Sequence, residues 1–353
     1  MKFMRFLYVF AFLAASVQLA AHQGHSHGSK QESPSEVGTV KISGYIDSRL
    51  GFELEDSAFK PSVDSMAIYV DSRLSEWLSA SVTLESHFDG RDFGIELDGA
   101  FLTASHDAHG TSISLGIGLF DIPFGIASFW YCSPDNLFAF APGITDRIFD
   151  HGWIDFGLFG SLETEHFGLT AYMAQGAALD EDVFGAADKG LAGGLRVTVS
   201  PVHGITFGLS YALNAHYAGD KLSFVAGDVE LELGPLSLIG QYTAIMPKFE
   251  FGDRLDTWFV QAMFDLKDLT HIPLSIGGRF DYFSEAFMAD PTTGLGESAN
   301  ALTIQALYQL SESLRLSLSF RTTHEEESAN IGAGGDHDHA HSSMVVLQAL
   351  VTF

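Results

Sequence analysis

Val345-Val346-Leu347-Gln348-Ala349-Leu350-Val351-Thr352-Phe353 is the stretch on which the reading of this chain turns. Val345, Leu347, Ala349, Val351 and Phe353 fall on one face at a period of two, and that face is wholly apolar. The other face carries Gln348 and Thr352. An apolar strand face needs cover, and an uncovered Phe at the last position is an unusual ending for a soluble sheet.

The same period runs through the chain. Ile113, Leu115, Ile117 and Leu119 alternate with Ser112, Ser114, Gly116 and Gly118. Leu314, Leu316, Leu318 and Phe320 alternate with Arg315, Ser317, Ser319 and Arg321. Leu302 to Tyr308, Ile205 to Tyr211 and Leu78 to Glu85 repeat the pattern. One greasy and one polar face describe either a half-buried soluble sheet or a membrane barrel with a wet interior. Repetition along the whole chain, with no amphipathic helix to cover a sheet, favours the barrel. Counting from Val37 gives about sixteen strands.

The connections sharpen this expectation. If the first strand rises from the short-turn side, every even-numbered connection should be tight. They centre on Ser75–Glu76, His106–Gly110, Glu163–His166, Ser200–Gly204, Leu233–Pro235, Lys267–His271 and Ser311–Ser313. The long ones, Ile126–Asp150, Gly176–Gly190, Met288–Ser298 and Ser328–His341, all fall in the odd-numbered set. A soluble sandwich has no reason to sort its loops this way, whereas a barrel assembled from one side of a membrane does.

At the other end, Lys2 and Arg5 flank the start of an apolar run, Phe6 to Ala15, followed by small residues. Residues 1–21 are therefore expected to be a secretory signal peptide, cleaved near Ala20 or Ala21. An N-terminal membrane anchor is the alternative. Residues 22–36 are expected to form a His-containing tail, and residues 37–353 the barrel.

A soluble chain of 353 residues would suggest two domains, but no Pro- or Ser-rich linker divides this one. Gly occurs 36 times, Phe 30 times and Cys once, so Cys132 has no internal disulfide partner. The formal charge is −27; without Lys2 and Arg5, 16 basic residues face 45 acidic ones. Such a balance argues against nucleic acid as a partner. Acidic, Gly-rich and Phe-rich together suit a lipid-facing belt, aromatic girdles and a polar lumen.

The terminal stretch ending in Phe353 resembles the C-terminal signal of bacterial outer-membrane β-barrels, which implies recognition by a barrel-assembly machinery and residence in the outer membrane of a Gram-negative bacterium. Gly118-Leu119-Phe120-Asp121-Ile122-Pro123-Phe124-Gly125 resembles a Gly-x-Phe-x-x-Pro-Phe-Gly stretch of phosphate-selective porins. The long third outward connection holds Phe129, Trp130, Phe138, Phe140 and Phe149, too greasy for a loop in water. It stands where general porins carry a loop that folds into the barrel and narrows the pore. This resemblance implies an inward-folding third loop and a homotrimer. The acidic composition departs from phosphate-selective porins, which line their pores with Lys and Arg, so anion selectivity is not carried over.

A diffusive pore's chemistry lies in the charges along its lumen. Asp47, Arg49, Asp71, Arg73, Glu85, Glu96, Asp98, Asp228, Glu230 and Glu232 fall on polar strand faces. Asp121 precedes the third loop, and Asp135, Asp146, Arg147 and Asp150 lie in it as candidates for the constriction. Carboxylates predominate, so cations should be favoured. Some of these charges would instead sit in solvated rims or pair locally.

Histidines form two clusters. His22, His25 and His27 follow the expected cleavage site, and His337, His339 and His341 alternate in the last outward loop beside Asp336 and Asp338. Alternation places the three imidazoles on one side of an extended segment, where they could converge on Zn²⁺, Cu²⁺ or Ni²⁺. Neither cluster has a Cys, so a closed structural zinc site is not expected. The bland alternative is a polar tail and loop.

No Gly-x-Ser-x-Gly, phosphate-binding loop or His-Glu-x-x-His is present, and His324-Glu325-Glu326-Glu327 lacks the second His. The expectation is an all-β transmembrane antiparallel barrel for passive diffusion of small hydrophilic solutes, cation-preferring and without a cofactor. A channel specific for a divalent metal or metal chelate is one alternative. A barrel hydrolase, whose residues would be dispersed along strands without a local motif, is another.

Overall fold

The computed structural model describes residues 36–89, 92–129, 134, 136–143, 145, 153–176, 190–217, 220–247, 255–284, 296–328 and 339–353. Sixteen strands follow one another: β1 (Val40–Glu53), β2 (Ala58–Arg73), β3 (Leu78–Asp89), β4 (Asp92–Ala108), β5 (Thr111–Asp121), β6 (Ile154–Glu163), β7 (Phe167–Ala174), β8 (Ala192–Val202), β9 (Ile205–Tyr217), β10 (Asp220–Leu233), β11 (Leu236–Pro247), β12 (Leu255–Asp265), β13 (Leu274–Ser284), β14 (Gly296–Ser311), β15 (Leu314–Ser328) and β16 (His339–Thr352). Each pairs antiparallel with its chain neighbours, and β16 returns to β1 to close the barrel. Closure leaves no strand edge unpaired.

Burial is inside out relative to a soluble protein. Leu115, Ile117, Ile304, Leu318 and Leu347 are exposed on the outer face, while Thr243, Gln305, Ser319 and Gln348 are buried within. A belt of exposed aliphatic side chains on strand after strand is unfavourable in water and favourable in hydrocarbon. Aromatic residues gather above this belt: Trp258 packs on Phe280 and Tyr282 at 5.4 and 5.9 Å between ring centroids, beside Tyr242. At the other end Trp77 and Tyr308 are exposed. Amphipathic rings at both boundaries are what a membrane interface selects.

The sorting of connections is as the sequence predicts. All seven even-numbered connections are short, the one between β12 and β13 holding a single helical turn, Lys267–Thr270. The long connections, 122–153, 175–191, 285–295 and 329–338, all lie at the opposite end.

Candidate functional site in the barrel lumen

The third outward connection folds into the barrel. It leaves β5 through the Gly118–Gly125 motif, whose residues now have separate reasons. Gly118 and Gly125 have φ of 141° and 62°, angles that side chains resist. A Cβ on Gly125 would also stand 2.6 Å from Gln241 Oε1. Phe124 is fully buried, with Trp153 and Phe224 rings each 5.7 Å away, so the loop is rooted in an aromatic cluster inside the barrel. Three consecutive loop amides are satisfied by the wall. Gly125 N–H donates to Ser210 Oγ at 3.0 Å, and the Ile126 and Ala127 N–H groups donate to Gln241 Oε1 at 2.7 and 2.8 Å.

Further along, the loop crosses to β13, β14 and β15. Arg279 donates through Nη1 and Nη2 to the carbonyls of Phe140 and Ala141, at 2.9 and 2.6 Å, and through Nε to Asp281 at 2.9 Å. Asp281 accepts in turn from Gly143 N–H at 3.2 Å. Gln305 accepts from Ala139 N–H at 2.8 Å and donates to the Leu137 carbonyl. Arg315 donates to the Pro134 and Asn136 carbonyls. The guanidinium groups of Arg279 and Arg321 lie 5.1 and 5.2 Å from the ring centres of Phe138 and Phe140. Phe138 and Phe140 are thus explained by cation–π packing on lumenal arginines; Phe129, Trp130 and Phe149 have side chains outside the described residues. Arg315 is the second residue of β15, so the Pro134–Leu137 segment reaches deep towards the short turns. There Leu137 borders a cavity of about 300 Å³ with Pro235, Asp265 and Ser275.

Carboxylates occupy the lumenal wall of β1 to β4. Tyr45 donates to Glu85 at 2.7 Å and accepts from Ser65. Ser81 donates to Asp71 at 2.6 Å. Glu96 faces Glu85 in the register, and Asp98 is the extra residue of a bulge between those strands, re-aimed to reach Glu85. Asp121, closing β5, is close enough for its charge to act on Glu85. Arg49 bridges Asp47 and Asp64 at 2.8 Å each. Gln348 donates to Asp47 and accepts from Ser317, both at 2.8 Å, so this network crosses the β1–β16 seam.

The structure therefore brings Asp71, Glu85, Glu96, Asp98 and Asp121 to one side of the lumen. It does not bring Arg73 there. Arg73 ends β2, and its guanidinium binds the Ser75 and Glu76 carbonyls at the turn, which corrects its expected place in a constriction. Asp228 is matched by Arg196 in a bidentate pair at 2.7 and 2.9 Å. Glu230 and Glu232 line a cavity of about 280 Å³ at the short-turn end with Glu165, His166 and His203. Asp135, Asp146, Arg147 and Asp150 lie outside the described residues, as do His22, His25, His27 and His337. His339 and His341 fall in β16, where the register sets His341 opposite His324.

Sequence reasoning missed the grip on the loop: Gln241, Arg279, Asp281, Gln305, Arg315 and Arg321. Each reads locally as one more polar lumenal residue. Only a lumenal Arg beside an Asp two residues on, at Arg279 and Asp281, hints at a fixed, desolvated pair.

No protein-family model and no curated protein sequence matches the chain. Solved structures do. The outer-membrane expressed OmpT of Vibrio cholerae is 11% identical with a TM-score of 0.62, covering 91% of this chain and 99% of that one. The anion-selective porin from Comamonas acidovorans is 14% identical with a TM-score of 0.63, covering 89% and 99%. An in-vitro folded OmpT of Vibrio cholerae, described as the trimer form, is 12% identical with a TM-score of 0.62, covering 90% and 100%. The fold is that of porin-like outer-membrane barrels.

Proposed function

We propose that this chain is an outer-membrane porin through which small hydrophilic solutes diffuse passively, with cations preferred over anions. One observation carries the reading. The third loop is seated in the lumen against β9 to β15, and carboxylates are gathered on the wall of β1 to β4. A fixed loop narrows the passage and leaves it bordered by the acidic wall. Two of the lumenal guanidiniums are bound elsewhere: Arg279 to the loop and to Asp281, and Arg196 to Asp228. Their field is thereby largely cancelled locally, and the carboxylate field dominates the passage. Proximity of like charges also makes the wall a poor place for an anion.

The solved barrels of like fold support a channel, since one of them is a porin. The trimer form of another supports three copies in the membrane. The test of function is the reversal potential of the chain in a planar bilayer across a KCl gradient. Selectivity for K⁺ is expected, and selectivity for Cl⁻ at low salt would overturn the cation assignment. Absence of any conductance from correctly folded protein would overturn the channel itself. Native-gel mobility in mild detergent tests the trimer.

A further inference from the structure

Above the apolar belt, on the outer face of the β15–β16 hairpin, two imidazoles meet. His324 and His341 are direct cross-strand partners. Their Nδ1 atoms are 3.2 Å apart, their ring centres 4.3 Å, and their planes 20° from parallel. The rung below pairs Thr322 with Ser343, whose hydroxyls are 3.3 Å apart. Glu55, in the connection after β1, is bonded to Ser343, and its charge acts on His341. Two residues further out, the register pairs Glu326 with His339.

We infer that His324 and His341 form the nitrogen half of a binding site for a divalent transition-metal ion, of the Cu²⁺, Ni²⁺ or Zn²⁺ class, on the outer surface of the barrel. An ion bonded to both Nδ1 atoms at about 2.0–2.1 Å would subtend about 100° at the metal, close to what a tetrahedral or cis-octahedral ion requires. The cross-strand register already brings both nitrogens within reach of one ion, and the rings, which stack with their planes 20° from parallel, turn about their side-chain torsions so that both Nδ1 lone pairs point at it. In the neutral pair one Nδ1 carries the proton that the other accepts; on binding an ion that ring takes its Nε2–H tautomer, so both Nδ1 lone pairs are free for the metal and no net proton is released. Water completes the coordination, and the Glu55 carboxylate supplies opposite charge nearby.

Such a site differs from convergence of alternate histidines along one strand. Same-face neighbours along a strand are about 6.6 Å apart, whereas directly opposed residues have Cβ atoms about 4.5–5.5 Å apart. The partner of His341 is therefore His324, seventeen residues back. Because the pair lies on the outer face, the site is independent of what the lumen passes. Its effect is to clip β15 to β16 beyond the membrane and to hold an ion at the surface.

The experiment titrates Cu²⁺ alone into the full chain purified in detergent, by calorimetry and by electron paramagnetic resonance. The wild-type protein should show one tight site with nitrogen hyperfine structure from two imidazoles. His324→Ala and His341→Ala should each weaken that site by more than about tenfold, since even outer-shell partners of metal ligands are worth that much. The double variant should be no worse than either single one, because one site is lost once. Folding is checked by the heat-dependent gel mobility of barrels, and His324→Gln substitutes where the Ala variant fails it. Unchanged affinity in folded His324→Ala or His324→Gln overturns the proposal, as does loss of the tight site on His337→Ala alone. Bilayer conductance of the variants should match the wild type, so this result and the porin reading stand or fall separately.

Discussion

Gly44 and Phe353 hold the barrel shut. The Gly44 N–H donates to the Phe353 carbonyl at 2.9 Å, and the Phe353 N–H donates back to the Gly44 carbonyl at 3.0 Å. The ring of Phe353 covers the place a side chain on residue 44 would take: a Cβ there would be 2.7 Å from its Cζ and 2.3 Å from the Ala67 carbonyl oxygen. The ring could turn aside, but the Ala67 backbone could not. Gly44→Ala should therefore destabilise closure by about 1–3 kcal/mol, the usual cost of forcing one carbon into a packed site. The check is the fraction of heat-modifiable, folded barrel after refolding. Deleting Phe353 removes both hydrogen bonds and the ring, and should lower the yield of inserted protein further. Normal insertion of both variants would show that the seam does not limit assembly.

The loop grip predicts a change in conductance. Arg279 is almost wholly buried and joins two loop carbonyls to Asp281. Arg279→Ala leaves Asp281 as a desolvated charge, a loss of about 3–5 kcal/mol for a buried pair broken on one side. Much of that can be relieved if the loop lifts and water enters. Single-channel conductance should rise and fluctuate more, with the barrel still folded. Gln305→Ala should act in the same direction but less, since neutral hydrogen bonds are weaker. Deleting residues 129–149 should give the largest conductance of the three. Conductance equal to the wild type in all three would place the passage away from the loop.

The root of that loop is a packing problem, and it separates fold stability from gating. Phe124 is fully buried between Trp153 and Phe224. Phe124→Ala should cost about 3–5 kcal/mol, with a cavity left among rings that cannot collapse. A lowered urea midpoint for unfolding from detergent is expected. Phe138→Ala removes a ring from the loop itself and should change conductance more than the midpoint.

The strands were readable because a two-sided solvent writes itself into a period of two, as at Leu314 to Arg321. The turns were readable because barrels sort them, and Glu312–Ser313 and Gly234–Pro235 fall where expected. The inward loop was readable from Phe138 and Phe140, which had no business in water. Its partners were not. Gln241 and Ile126 are 115 residues apart, and Arg315 and Pro134 are 181 apart. A side chain that grips a loop backbone leaves no mark on the loop's own sequence, because every residue has a carbonyl. Arg73 misled for a related reason: its strand position points inward, but the turn two residues on offers carbonyls within reach. The pairing of His324 with His341 comes from strand register, which spacing along the chain does not reveal.

Selectivity should follow the acidic wall. Glu85 is buried against Tyr45, with Asp98 and Asp121 near it, and the less buried members of this cluster are the ones expected to act on a passing ion. Neutralising Asp98 and Asp121 together, as Asp98→Asn and Asp121→Asn, should lower the K⁺ over Cl⁻ permeability ratio at low salt, by about threefold for each unit of net charge lost where that charge is worth about 0.6 kcal/mol to a passing ion. Raising salt from 0.1 to 1 M shortens the Debye length from about 10 to 3 Å, so the wild-type preference should decline towards that of the double variant. A contrasting variant sharpens the test. Asp228→Asn leaves the Arg196 guanidinium without its bidentate partner and should also move selectivity towards anions. Replacing Arg196 and Asp228 together by Ala removes a nearly neutral pair and should leave the ratio close to the wild type. A ratio insensitive to the Asp98 and Asp121 changes but sensitive to Asp228 would move the selecting charges from the wall of β1 to β5 to the wall of β8 to β10.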